Sequence, residues 1–521
     1  MIYTDQSKKT VLKTTRVFLL ATDYAENTDY TDNNLIHKTM KLTRAIIKNR
    51  ILSIGRAAII ISSFLFVLAF SESCTKQSKL MIGMAEVNYT PEVGIDLMGN
   101  YREKDYASRG IHDSLYSKAI VAVGENGVKV AIISVDICVV RRSWVEFMRA
   151  HIASKTDIKA ENIMITATHT HSGPQINFDN PEHKKYLLKI ADAAIIANQR
   201  LKPTVLSVGR AKENRISHNR RLKCIDGTTH MCWEKFEPGF VIEPWGPIDP
   251  EIITVSMHQE GKPTGVLINF GCHATTLTGN NWLISADYPG YLSEAIRKVK
   301  GKDYFPMFLN GASGNVTQVD YRVGFPDTYQ ECQRIGYLLG VSAMEAMENE
   351  EIMTDNTVAV SKEMVPLKKM SISDGQLAWA NAIMKKVEKE GMPPIQANGI
   401  PEAVYAKSWI EMRAKQDQID SIELMVVRIG DIAFTGIPGE PFCEFGLDIK
   451  ARSPYKNTIV MGITNDSWAY FPTKVSYTQG PKGFTPYITG YETTPGSSKF
   501  EIGAGEILVE SAINQINLLK K

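Results

Sequence analysis

The segment Thr168-His169-Thr170-His171-Ser172-Gly173-Pro174 carries the densest chemistry in the sequence. His-x-His at the end of a strand turns both imidazoles to one face, because strand side chains alternate with a period of two. One of the pair would ligate a metal. The other would act as acid/base or bind substrate. His273, in Gly271-Cys272-His273-Ala274-Thr275, brings a third imidazole after another apolar run, and Glu440, in Gly439-Glu440-Pro441, brings a carboxylate. Two nitrogens and a carboxylate suit zinc with a position open to water. Zinc so held lowers the pKa of bound water to about 7 and polarises a carbonyl.

These residues need elements to position them. Apolar runs predict strands at Val128–Ile137, Ile163–Ala167, Gly265–Phe270, Tyr304–Leu309 and Thr458–Ile463, and a hairpin over Leu424–Gly436 that turns at Gly430-Asp431. Asn180-Pro181 opens a helix whose Leu187, Ile190, Ala191, Ala194 and Ile195 share one face. Tyr288–Val299 and Glu331–Glu348 are further helix candidates, and Gln376–Gln418, charged and rich in Met and Ala, predicts helices on the outside. The class is α/β, with layered mixed sheets and flanking helices. Nearly every strand runs into a Gly-containing polar cluster: ITATHTHSGP, LINFGCHATTL, MFLNGASGN, FTGIPGEPF and VMGITNDS. Ligands of open α/β sheets bind beyond the carboxyl ends of strands, so five such clusters predict one shared crevice.

At 521 residues, 44% hydrophobic and 22% charged, the chain can bury a large core, and its net charge of +2 makes no general case for nucleic acid. The charge is uneven. Residues 1–39 balance to zero, whereas 40–56 carry Lys41, Arg44, Lys48, Arg50 and Arg56 without an acid, and Ala57–Phe70 is an apolar run interrupted only by Ser62 and Ser63. The run is short for a bilayer span of ~20 residues but fits the hydrophobic region of a secretory signal peptide. Ser71-Glu72-Ser73-Cys74 resembles a lipoprotein cleavage site, with Glu72 atypical. The expectation is therefore a non-native extension over 1–39, a lipoprotein-type signal over 40–74 and a catalytic domain over 75–521, exported to the cell envelope, as an outer-membrane lipoprotein, or beyond the cell. Cys138, Cys224, Cys232, Cys272, Cys332 and Cys443 follow without any C-x-x-C pair; only Cys224 and Cys232 are close enough to bridge a loop.

The ordered motifs GMAEVNYTPEVGIDLMGNY, RGIHDSLYSKAIV, THTHSGP, INFGCHATTL, ISADYPGYL, NGASGNVTQ, GIPGEPF and GITNDSWAYFPT resemble those of the neutral, non-lysosomal ceramidase family. The resemblance spans roughly residues 80–500 and implies a zinc-dependent hydrolase of the N-acyl-sphingosine amide. It implies His169, His273, Glu440 and Tyr477 as metal ligands and His171 as the acid/base or substrate contact. Arg220, of Asn219-Arg220, takes the place of a substrate-binding arginine, with Arg215 and Arg221 as alternatives. Metal-activated water would attack the amide, Arg220 or Thr317 would stabilise the oxyanion, and His171 would protonate the leaving amine.

Three departures bear on the substrate. Gly314-Asn315-Val316-Thr317-Gln318 has threonine where the family has serine, no tyrosine stands near Ser498–Phe500 where a later active-site tyrosine is expected, and the chain ends at Lys521 without the C-terminal β-domain of longer relatives. If the serine were the nucleophile, Thr317 would be harmful; if metal-activated water attacks, its hydroxyl suffices. The rival readings are a zinc hydrolase of a glycan N-acyl group, another amide or an ester, and a non-catalytic ligand-binding lipoprotein. Asp136 and Asp287 follow apolar runs and could orient the histidines, with a helix N-cap the alternative for Asp287. Trp468, Tyr470 and Phe471 could line an apolar channel or pack in the core.

Overall fold

In the computed structural model the described residues are 80–520, apart from 103–104, 397–398 and 482–488, and they fall in the compact unit Ser78–Lys521. The expected extension, signal segment and acylated Cys74 lie outside the described residues. Three four-stranded arrays carry the architecture. The first orders β1 (Met81–Asn88), β2 (Tyr116–Val123), β3 (Lys129–Val135) and β4 (Ile163–Ala167); the second orders β5 (Lys202–Lys212), β6 (Glu251–Gln259), β7 (Lys262–Phe270) and β8 (Phe305–Asn310). Only two residue pairs, Met81 with Pro203 and Ile82 with Lys202, join β1 to β5, so one long sheet bends there. The third array orders β9 (Val358–Lys368), β10 (Ile419–Ile429), β11 (Ile432–Gly436) and β12 (Asn457–Met461). Each array is antiparallel except at its last pair, where β4, β8 and β12 run parallel to β3, β7 and β11.

The inner faces of all three arrays share one apolar core. Ile82, Ile132 and Met164 meet Val255, Leu267 and Met307, and both groups meet Val427, Phe434 and Ile459. Helices cover each outer face. Arg142–Lys155 (α1) and Pro181–Gln199 (α2) pack on Ala131, Ile133 and Ile165; Tyr288–Lys300 (α3) and Tyr329–Glu348 (α4) pack on Ile252, Val266 and Ile268. The pair Asp374–Glu390 (α5) and Glu402–Arg413 (α6) forms a core of its own, while Cys443–Arg452 (α7) and Ala504–Leu518 (α8) cover Val426, Ala433 and Val460. Strands buried on both faces read as continuous apolar runs, which is why VAIISV and LMVV are legible without alternation. Asn180 caps α2 as expected, accepting the Glu182 amide, with Pro181 in the first turn.

The parallel pairs send β4, β7, β8, β11 and β12 out at one end of the molecule, and their following loops are laced together there. His171 N donates to Ala274 O, His273 N to Val316 O, Gly314 N to Pro441 O, Gly462 N to Asn310 O and Ile463 N to Gly439 O. All five Gly-containing clusters therefore meet in one crevice, as the sequence led us to expect. Cys224 and Cys232 do not bridge: both are free thiols packed in one apolar cluster with Leu222 and Val319.

Asn310 is the buried joint among these loops: Nδ2 donates to Thr168 O at 3.2 Å, and Oδ1 accepts from Cys272 N at 3.4 Å. Asn310→Ala would leave both main-chain groups buried without partners, a loss of about 2 kcal/mol. Urea unfolding should show that drop in midpoint with an unchanged slope.

Candidate metal centre and cavity

His169 and His273 enter the crevice from different arrays, and each donates its outer nitrogen to a main-chain carbonyl. His169 Nδ1 lies 2.7 Å from Cys138 O, and His273 Nδ1 lies 2.7 Å from Ser313 O. A carbonyl only accepts, so both rings carry a proton on Nδ1 and turn Nε2 inward, where a metal ion or a second proton can sit. Glu440 Oε2 stands between them, 3.4 Å from His169 Nε2 and 3.0 Å from His273 Nε2, a buried oxygen without a hydrogen-bond donor. Burial disfavours a charged His169, yet the Glu440 carboxylate outweighs it and raises its pKa to about 10; burial, then the Arg220 charge, lowers His273 to about 4. The cluster thus favours positive charge at its centre, and a divalent cation would supply it to all three residues at once.

The side-by-side placement of the histidines differs from the expected route. Strand β4 ends at Ala167, and His169 adopts a left-handed backbone with φ 73°, so strand alternation is not what aligns His169 and His171. The turn does it, at some cost in strain. His171 Nε2 approaches His169 Nε2 to 3.2 Å, and the rings meet edge-on at 4.6 Å. Asn100 fixes the other side of His171: its Nδ2 donates to Leu277 O at 3.0 Å, leaving Oδ1, at 3.3 Å, to accept the His171 Nδ1 proton. Gly99, at φ +112°, lets His171 in, since a Cβ there would lie 2.4 Å from the His171 Cγ. Burial, reinforced by charge on the neighbouring histidines, holds His171 well below the ordinary imidazole range, so it is neutral at pH 7.

Two short ladders bring up the remaining groups. His218-Asn219 pairs with Val316-Thr317, and Arg220 N donates to Asn315 O, which brings Arg220 and Thr317 to one cavity wall. Arg220 Nη1 lies 3.2 Å from His273 Nε2, while its Nη2 is buried without a partner. The two alternatives are elsewhere engaged: Arg215 pairs with Glu213 and is mostly exposed, and Arg221 is locked by Glu492, Gln479 and two carbonyls. Thr317 Oγ1 donates to Gln318 Oε1 at 2.7 Å and lies 3.3 Å from Thr275 Oγ1. The second ladder pairs Glu440 with Tyr470 in parallel.

Tyr470, rather than Tyr477, is therefore the tyrosine at the cluster. Its ring stacks on His273 at 6.4 Å and 12°, and its hydroxyl lies 3.5 Å from His273 Nε2. Tyr477 is turned away by the one-turn helix Lys474–Thr478, and its hydroxyl meets Ser498 Oγ at 2.6 Å. Sequence reading left Tyr470 undecided between channel and core because the pairing of two loops leaves no periodic trace; Phe471 and Trp468 do pack in the core, against Phe500. Tyr491, 5.4 Å from Tyr470, also lines the cavity, with no local pattern in the sequence to mark it. Asp136 and Asp287 do not orient the histidines, which use main-chain carbonyls; Asp287 caps α3 and also accepts Leu277 N. Cys138 with His169 and His171 is a second geometric grouping, but the His169 nitrogen on that side, 3.9 Å from the thiol, carries a hydrogen.

The cluster opens on a cavity of about 230 Å³ lined by His171, Arg220, His273, Thr317, Tyr470 and Tyr491, and beyond them by Tyr101, Trp233, Val319, Phe325 and Ile400. In fold the chain is similar to a neutral ceramidase from Pseudomonas aeruginosa, with a TM-score of 0.64 at 19% identity, covering 85% of this chain and 74% of that one. A ceramidase complexed with C2 superposes with a TM-score of 0.63 at 18% identity.

Residues 80–317 match the family "Neutral/alkaline non-lysosomal ceramidase, N-terminal". Its relatives include the neutral ceramidase of Pseudomonas aeruginosa, 25% identical over 233 residues (40% of this chain, 32% of the relative). Others are the neutral ceramidase of Oryza sativa, 23% identical over 229 residues (41% and 28%), and neutral ceramidase A of Dictyostelium discoideum, 22% over 269 residues (47% and 36%). The matched segment spans about a third of each relative's length.

The geometry separates the two tyrosines experimentally. Zinc titration should show His273→Ala weakening binding by more than about 100-fold, Tyr470→Phe by about tenfold, and Tyr477→Phe not at all. Equal effects of the two tyrosine variants would contradict the placement.

Proposed function

We propose that this chain is a zinc-dependent amide hydrolase acting on a ceramide-like N-acyl lipid. The observation that carries the reading is the inward convergence of two Nε2 lone pairs and Glu440 Oε2 on a cavity that also receives the unpartnered Nη2 of Arg220. Their separations of 3.4 and 3.0 Å suit the about 3.3 Å edge of a tetrahedron with 2.0–2.1 Å bonds, and His169, His273 and Glu440, with the Tyr470 hydroxyl nearby, would hold the ion. When bound, zinc supplies a Lewis acid and a water of lowered pKa.

The protein's own groups do the rest. Arg220 Nη2 donates to the carbonyl oxygen as negative charge develops there, in a cavity walled by Trp233, Tyr470 and Tyr491, where such a bond is strong. His171, neutral at rest, takes up a proton at Nε2 and delivers it to the departing nitrogen, with Asn100 holding its tautomer. Thr317 keeps a hydroxyl in the wall, bound to Gln318, where it orients the acyl group and leaves attack to water. The cavity is small for a whole lipid, so it would take the amide and its neighbours while alkyl chains run out past Phe325, Val319 and Ile400. Residues 40–74 favour export with a lipid anchor at Cys74, which would put the enzyme beside amphiphilic amides. Threonine in place of the family serine favours a second reading, a different N-acyl or ester substrate such as a glycan, on the same machinery.

Hydrolysis of N-acyl-sphingosine and of N-acetylated sugars, compared before chelation, after it, and after zinc is restored, tests both readings. We expect turnover of the lipid amide that chelation abolishes and zinc restores. Turnover of the sugar alone would select the second reading, and binding of lipid without turnover of any amide would leave a ligand-binding protein. Thr317→Ser should keep kcat within about threefold, whereas Thr317→Val should lower it by about tenfold or more.

A further inference from the structure

Arg220 can act on an acyl oxygen only if its guanidinium is held in one plane with Nη2 free, and the group that holds it lies 272 residues away in sequence. Glu492 is fully buried and shared. Its Oε1 accepts Arg220 Nε at 2.6 Å, and its Oε2 accepts Arg221 Nη1 at 2.7 Å. Burial would raise a carboxyl, yet the Arg220 and Arg221 charges hold Glu492 below the ordinary range, so it is ionised. The guanidinium of Arg220 is boxed as well, 5.2 Å from the Tyr470 ring, 5.6 Å from Trp233 and 5.9 Å from the adjacent Tyr491. With Nε tied to Glu492 and Nη1 against His273, the Nη2 donor is the one buried atom of this side chain left without a partner, in a residue that lines the cavity.

We infer that Glu492 is a positioning residue: it fixes the Arg220 fork so that Nη2 meets an oxygen of the bound acyl group. Arg221 completes the device. Its five hydrogen-bond contacts, to Glu492, Gln479 (two), Ser476 O and Thr489 O, anchor the far side of the carboxylate, so the fork cannot swing with it. Buried carboxylate–guanidinium bonds of this kind set geometry more than they add stability.

The inference rests on the reading that the cavity takes an acyl group, and octanoate, the carboxylate that hydrolysis of an octanoyl amide would release, probes it without turnover. Octanoate affinity is measured by calorimetry on the full chain as wild type, Glu492→Asp, Arg220→Ala and the double variant. The aspartate keeps the charge but is one methylene short of reaching both arginines. We expect Glu492→Asp and Arg220→Ala each to weaken octanoate by about tenfold, and the double variant to match Arg220→Ala within about twofold. Glu492→Gln, which keeps length and removes charge, repeats the comparison if the aspartate variant does not fold. Wild-type affinity in Glu492→Asp, equal losses from it with and without Arg220, or no octanoate binding by the wild type would each overturn the inference. Zinc content is read in parallel: a wild type that holds no zinc but shows the expected coupling would sink the metal reading and leave Glu492 standing.

Discussion

Two hydrogen bonds from imidazole to main chain govern the rest of this structure. By donating Nδ1 to Cys138 O and Ser313 O, His169 and His273 turn their Nε2 atoms inward toward Glu440 Oε2, with Arg220 Nη1 beside His273 Nε2. In a buried site that arrangement is unfavourable until a cation, proton or metal, sits at the centre, and Glu440 is placed to share it. The carbonyls that accept these bonds belong to the loops after β3 and β8. The candidate metal centre is thus a property of how the three arrays end, more than of any one motif.

The lacing of those ends explains why local strain is tolerated. His169 at φ 73° and Ile463 and Asn465 at φ 48° and 62° sit where β4 and β12 hand over to their loops. Asn465 Oδ1 accepts Ile165 N at 2.8 Å, and the Asn465 main-chain N donates to Ile165 O at 2.8 Å, so this strained turn is fixed by bonds into strand β4. Packing around a three-sided core holds these strands from both faces, which gives the crevice a stiff floor.

Much of this was legible in the sequence, for identifiable reasons. Strands buried on both faces leave unbroken apolar runs, so β4 was placed at its observed bounds and the hairpin at Gly430-Asp431 fell where it was expected. β5 and the edge strand β9 mix exposed and buried positions, and α7 and α8 follow loops without side-chain caps, so none of these stands out in the sequence. In the site, His169, His171, His273 and Glu440 sit in motifs that local spacing can reveal. Tyr470, Tyr491 and Glu492 do not. Tyr470 comes to the cavity through a parallel pairing of two loops and Glu492 holds Arg220 through a long-range ion pair, and neither arrangement has a local signature. The same blindness moved the tyrosine assignment seven residues down the chain, to Tyr477.

In this site histidine nitrogen and carboxylate oxygen would hold the metal, with the Cys138 thiol outside. X-ray absorption at the zinc edge of the loaded protein tests this most directly. The expected spectrum shows a shell of nitrogen and oxygen at about 2.0–2.1 Å with the outer-atom pattern of two imidazoles and no sulfur. A sulfur scatterer at about 2.3 Å would contradict it, because Cys138 could then ligate only if His169 gave up the hydrogen bond on which the site is built.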